Sequence, residues 1–328
     1  MRNNCFTLLR YVFALCIFCN HLCVCMGREI FLANGVVFVF GFFAMSGFLN
    51  FNSYRRNPDP RTFAKKRFKR IYPAYALAVV CCFLMGAALT TLPLSNFLQR
   101  AETWRYLFFN LLFLNYQQPS LPGLFEDNAM TAVNSSLWTM KVEVLFYISV
   151  PIVHWLMQRY GRNRVVLGIV VASLAYNYLT EWAFLTTGNA LYNTLNHQIP
   201  GQLSVFYTPV LMLLHMEWVR RHGLLLLLTA AALLVPYCMS RDFHYLLPLA
   251  IPVLVVTFAY ECRPLLFTSG WKDFSYEFYL FRFPVLQVLA SLGLGLSLGL
   301  TAGLALLLIF ALAIPAHYLS KALADTIH

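Results

Sequence analysis

Apolar runs of about 17 to 25 residues recur from one end of the chain to the other, separated by short polar or basic segments. Each is long enough to cross a hydrocarbon core of ~30 Å as a helix. The pattern predicts ten spans, at about 6–26, 30–51, 71–93, 137–157, 165–184, 201–218, 224–240, 243–261, 273–297 and 299–320. Period-two alternation is missing, which excludes a membrane barrel and leaves an all-α polytopic helical bundle. Residues 104–116 (WRYLFFNLLFLNY) are apolar but short for a crossing, and a crossing there would invert everything that follows. They are predicted as a re-entrant or interfacial helix within an extracytoplasmic segment, 94–136.

Composition sharpens this class. Of 328 residues, 60% are hydrophobic and 11% charged, and the mean hydropathy is +0.64. A soluble globular protein carries about a quarter charged residues. The net charge of +11 invites a nucleic-acid partner, but the cations sit in short loops: Arg55 to Arg70, Arg159 to Arg164, and Arg220 with Arg221. That is the positive-inside pattern of a membrane protein, so no nucleic acid is expected, and both termini are predicted on the cytoplasmic side. The first run holds Arg10 and His21 and lacks a small-residue cleavage site, so it reads as a retained helix. No internal repeat and no appended soluble domain is evident, and residues 1–328 are expected to form a single integral-membrane domain. Nine cysteines fall mostly within spans, where they read as small buried hydrophobes; neither a disulfide framework nor a metal is expected.

Ionisable residues inside hydrocarbon are costly and mark function. Arg10 and His21 lie eleven residues apart in the first span. Eleven helical residues turn through about 1100°, which leaves the two side chains within roughly 20° of one face and ~16 Å apart along the axis. Glu143 lies in the span at 137–157, which runs the opposite way. Counted from the outer ends, His21 and Glu143 both fall ~8–9 Å below the outer surface. An imidazole and a carboxylate at equal depth suit a general base and its orienting partner, able to deprotonate a sugar hydroxyl for attack on an acyl thioester. Tyr147, four residues after Glu143, shares its face. The competing reading makes His21 and Glu143 polar glue between helices.

Other polar positions divide similarly. The basic run before Tyr72 is sufficient as a topology signal, while Arg67 and Arg70 also suit the phosphates of a cytoplasmic anionic cofactor. Arg10 begins at the same level and would add a ligand at the inner mouth. Ser46-Gly47 reads as small-residue helix packing in preference to a nucleophile, since no base is near in sequence. Lys141 and Arg282 are intramembrane cations that need a partner or a cavity. Most Trp and Tyr residues read as interfacial anchors.

Five local patterns occur in order: Arg10-Tyr-Val-Phe-Ala14 continuing to His21; Phe42-Phe43-Ala-Met-Ser46-Gly47-Phe48; Arg67-Phe-Lys-Arg70-Ile-Tyr72-Pro73; Trp138-Thr-Met-Lys141-Val-Glu143 with Phe146-Tyr147; and Tyr279-Leu-Phe-Arg282-Phe-Pro284. Together they resemble the membrane acyltransferase-3 family, whose members O-acylate sugars of bacterial surface polysaccharides and lipopolysaccharides. The resemblance runs from Arg10 to about Pro284. It implies a fold of about ten helices, His21 as the catalytic histidine and Glu143 as its acidic partner. Arg10, Arg67 and Arg70 would bind the acyl-CoA donor, acetyl-CoA by preference, with Arg282 grouped beside them; Trp138, Tyr147, Ser46 and Tyr279 would support the site. The acceptor would be a saccharide or glycolipid hydroxyl at the outer face of a bacterial cytoplasmic membrane. One departure stands out: the family's last motif ends Tyr-Leu-Trp-His-Phe-Pro, and here Arg282 occupies the histidine position. Two other classes compete. A sugar-lipid transporter or flippase predicts symmetric repeats, and a catalytically inactive partner of a polysaccharide assembly system would fit the Arg282 departure.

Overall fold

A computed structural model describes residues 4–28 and 35–326. Among these residues the secondary structure is entirely helical, without a strand. The chain forms α1 (Phe6–Cys25), α2 (Gly35–Arg56), α3 (Pro60–Leu89), the short α4 (Leu94–Gln99) and α5 (Ala101–Leu111), then α6 (Trp138–Tyr160) and α7 (Arg162–Thr187). After these come the short α8 (Ala190–Asn196), α9 (Ile199–Leu214), the short α10 (Met216–Arg221), α11 (Gly223–Met239), α12 (Leu247–Glu261), α13 (Ser275–Ser291) and α14 (Leu298–Thr326).

A helix occupies each predicted span. Seven of the described helices are long and apolar enough to cross a membrane: α1, α2, α3, α6, α7, α12 and α14, with α6 and α12 counted together with the 3-10 turns before them. The helices at the other three predicted spans, α9, α11 and α13, have 16, 17 and 17 residues. Length and apolarity thus mark out an integral membrane protein, with seven such helices among the described residues, all of them at predicted spans. The second predicted span begins at residue 30, and residues 30–34 lie outside the described residues, as do both chain ends.

Two boundaries differ from the sequence expectation. The basic segment before residue 71 is helical: α3 starts at Pro60, only three residues after α2 ends. The sequence Asn57-Pro58-Asp59-Pro60 explains this. Asp59 accepts hydrogen bonds from the backbone N–H groups of Thr62 (2.8 Å) and Arg61 (3.4 Å), and Pro60 opens the helix with its φ already suited to it. Hydrogen bonding from Thr62, side chain first and then backbone, holds the Asp59 carboxyl below its ordinary range. The predicted 104–116 helix ends earlier, at Leu111, with Phe113 in the left-handed region (φ 61°) and a 3-10 turn at Asn115–Gln117. Asn110 fixes this corner by donating to the Tyr106 and Gln118 carbonyls, while Tyr75 donates to the Asn110 carbonyl at 2.6 Å.

The chain divides into two compact units, with boundaries falling inside α1, α3 and α6. The first comprises 1–13, 36–64 and 142–271. In it α2 and α9 approach closely, where a Cβ on Gly47 would lie 2.0 Å from the Phe206 carbonyl oxygen. Only glycine fits there, as in close helix crossings generally. Around it Phe43 meets Phe146 edge to face, and Phe146 stacks on Phe206 at 4.3 Å. Buried polar side chains join α7 to α9: the Asn177 amide donates to the Gly201 carbonyl and the Ser173 hydroxyl to that of Pro200, both at 2.7 Å.

The second unit comprises 14–35, 65–141 and 272–328. Cys82, Phe97, Tyr106, Leu121, Leu124, Phe125 and Val133 form an apolar cluster under the 94–136 segment. Gln287 on α13, 1% exposed, ties that segment down. Its amide donates to the carbonyls of Met130 (2.6 Å) and Ala132 (2.8 Å), and Asn128 donates to its side-chain and backbone oxygens at 3.1 and 3.0 Å. At the start of α13, Glu277 meets His317 of α14 at 3.1 Å.

Candidate functional site

Two polar groups on apolar helices hold most of the candidate residues. The first lies between α2 and α6. Ser46 donates to Glu143 Oε1 at 2.5 Å, and Tyr147 donates to the same oxygen at 2.5 Å. Asn50, one turn after Ser46, donates to the Ser46 oxygen at 2.7 Å. An ionised carboxylate only accepts, so hydroxyl donors converging on one oxygen are its natural complement. Asn50 is buried, whereas Ser46, Glu143 and Tyr147 are each half-buried. The adjacent serine and glycine face different neighbours: Gly47 lets α2 close on α9, and Ser46 bonds to α6.

The second group joins α1 to α13. Arg282 is 1% exposed, a depth at which a guanidinium needs partners; its two terminal nitrogens have them and its Nε has no hydrogen-bond partner among the described residues. Its Nη1 donates to His21 Nδ1 at 3.2 Å, and its Nη2 donates to Ser136 Oγ at 3.2 Å. The Tyr279 ring lies beneath, 4.3 Å from the guanidinium carbon. The Tyr279 hydroxyl sits 2.8 Å from Thr139 Oγ1 and donates to the Ser136 carbonyl at 3.1 Å. The turn that carries Ser136 is shaped by Asn134, which accepts from the Ser136 N–H and donates to the Leu280 carbonyl at 2.8 Å. The His21 ring packs edge to face on Phe283 at 5.1 Å.

The remaining candidates are placed as follows. Arg10 is half-buried on the first turns of α1, in the same helix as His21. Arg67 and Arg70 lie three residues apart on α3, the first half-buried and the second exposed. Arg70 reaches Asp273 at 3.7 Å. Trp138 opens α6, and Lys141 lies over the Tyr116 ring at 4.7 Å. Among the described residues no group of three or more His, Cys, Asp or Glu is arranged to hold a metal ion, and all nine cysteines are free thiols.

Several participants carried little signal in the sequence. Asn50 had one, a polar residue four positions from Ser46 within an apolar helix. Ser136 and Thr139 are ordinary residues of a turn and a helix start, and their role depends on α13, some 140 positions away.

Comparison with known proteins gives a match over nearly the whole chain. The family model described as an acyltransferase domain (acyltransferase 3) matches residues 3–319. Among curated proteins, nodulation protein 10 of Rhizobium leguminosarum bv. viciae is 27% identical over 154 residues, which covers 44% of this chain and 39% of that protein. The match therefore spans about two fifths of that relative's length. No solved structure matches.

Proposed function

The chain belongs to the acyltransferase 3 family and is a membrane acyltransferase; on that premise we propose that it transfers an acyl group, acetyl by preference, from cytoplasmic acyl-CoA to a saccharide or glycolipid hydroxyl at the outer face of a bacterial cytoplasmic membrane, with both termini cytoplasmic. In the transfer, an ester C–O bond forms between the acceptor oxygen and the acyl carbon as the thioester C–S bond breaks. The hydroxyl proton leaves to a base, and coenzyme A departs as the thiol. His21 and Glu143 share the proton handling and charge stabilisation. Arg10, Arg67 and Arg70 bind the donor's phosphates and carbonyls, as guanidinium groups do by paired hydrogen bonds. The segment 94–136 reads the acceptor.

One observation carries the reading: an arginine and a histidine eleven residues apart on a single continuous helix, one at each end of a path about half a bilayer long. A cytoplasmic thioester and an external acceptor require such a path. The test compares surface glycan by mass spectrometry from cells carrying the wild-type protein, His21→Ala, or none. We expect His21→Ala to lower acylation by about 10²–10³-fold, the loss that accompanies removal of one transition-state group. Wild-type acylation in His21→Ala would remove His21 from the mechanism. Unchanged glycan without the protein would remove the saccharide acceptor.

A further inference from the structure

His21 carries two ring nitrogens, and which of them bears the proton decides what the ring can do. The group facing Nδ1 is Arg282 Nη1, at 3.2 Å. A guanidinium has five N–H donors and no acceptor, so this bond has only one direction. Nδ1 must present its lone pair, which an imidazolium does not have. A neutral ring with its Nδ1 lone pair engaged carries its proton on Nε2.

The arginine has little freedom to turn away. Nη2 is held by Ser136 Oγ, the guanidinium plane rests over Tyr279, and Tyr279 is itself fixed by Thr139 and the Ser136 carbonyl. On the histidine side the Phe283 ring stands edge to face against the imidazole. Cys25, one turn further along α1, directs its thiol toward the Gln287 side-chain oxygen at 3.9 Å. The Arg282 side chain is sealed from solvent. That is the environment of a residue that orients another.

We infer that Arg282 is a positioning residue that fixes His21 as the Nε2–H tautomer, so that His21 acts by donating a hydrogen bond to the acyl carbonyl oxygen as negative charge develops there, rather than by taking the acceptor's proton. This rests on His21 being catalytic, as proposed above, and divides the labour within that proposal. The C–O bond forms and the C–S bond breaks as before. The carbonyl oxygen gathers charge against Nε2–H, with the fixed guanidinium behind the ring reinforcing the donor. The hydroxyl proton passes to a carboxylate, for which Glu143 is the candidate, and finally to the departing thiolate.

The experiment uses the full chain in lipid nanodiscs with ¹⁵N-labelled histidine, the His21 signals being assigned by their loss in His21→Gln. The wild type should show the neutral Nε2–H pattern, and Arg282→Lys, whose ammonium also only donates, should retain it. Arg282→Ala should show a mixture of tautomers, with kcat lowered by about 10–100-fold and the KM for acetyl-CoA little changed. His21→Gln keeps an N–H donor but cannot act as a base, and should exceed His21→Ala in rate by roughly tenfold. The Nδ1–H pattern in the wild type overturns the inference, and this measurement needs no variant to fold. A pure rise in KM in Arg282→Ala also overturns it, by making Arg282 a donor-binding group. Equal rates for His21→Gln and His21→Ala, both far below wild type, overturn it while leaving His21 catalytic. Wild-type rates in His21→Ala would instead mean that the underlying reading fails.

Discussion

Glu143 and Arg282 are both charged residues on apolar helices, and their surroundings differ in kind. The carboxylate collects side-chain hydroxyl donors and stays half-buried. The guanidinium is fully enclosed, supported by an aromatic face, a serine oxygen and an imidazole nitrogen. A partly accessible acceptor can exchange a protein hydroxyl for a substrate hydroxyl of the same chemistry. A sealed cation held by several side chains fixes the geometry of what it touches. Burial, more than charge, therefore separates the group suited to meet substrate from the group suited to orient one.

The largest expected effect breaks the framework of the Glu143 region. Gly47→Ala places a methyl group 2.0 Å from the Phe206 carbonyl oxygen, and backbone cannot yield there as a flexible side chain would. Little monodisperse protein should survive detergent extraction and size-exclusion chromatography; a normal yield would mean that α2 and α9 can separate freely. Glu143→Gln removes the charge and keeps the shape. Acyl transfer should fall by about 10²–10⁴-fold with folded yield retained, and a rate near wild type would leave the carboxylate as helix glue. Ser46→Ala removes one donor to a charged acceptor, and a loss of roughly tenfold in rate is expected. Smallest is Ser136→Ala in the Arg282 region, which deletes one of the arginine's supports. Its thermal transition in nanodiscs should reflect a loss of about 1 kcal/mol. If Ser136→Ala instead cost more activity than Ser46→Ala, the contrast between the accessible and the sealed group would be reversed.

Helix positions were legible because length and charged punctuation are local properties of the chain. In the basic run before Tyr72 two local signals compete: its charge suits a loop, but Asp59-Pro60 is a helix start and the run is helical. The shorter helices α9, α11 and α13 show the other limit, since apolar composition alone does not say how much of a run is helical. The polar groups were only half legible. Glu143 and Tyr147 share a face by their spacing, but Ser46 reaches Glu143 across 97 positions, and no base appeared near it in sequence. Arg282 evidently needed a partner, yet nothing short of the fold could name His21, 261 positions away. Spacing within a helix predicts which residues are neighbours on it; pairing between helices depends on how the helices pack.

Gln287 gives the enzyme's architecture a consequence for its inheritance. Its side chain and backbone hold Asn128, Met130 and Ala132 to α13, and Arg282 sits five residues earlier on that helix. If the 94–136 segment reads the acceptor, as proposed, a new acceptor cannot be acquired by exchanging that loop alone, because a foreign loop would arrive without its fastening. The transplantable module is the loop together with α13. A chimera that moves both should remain foldable, and one that moves the loop alone should not. Diversification of acceptor choice would then be constrained to pass through coordinated changes in two stretches of chain 155 to 159 positions apart.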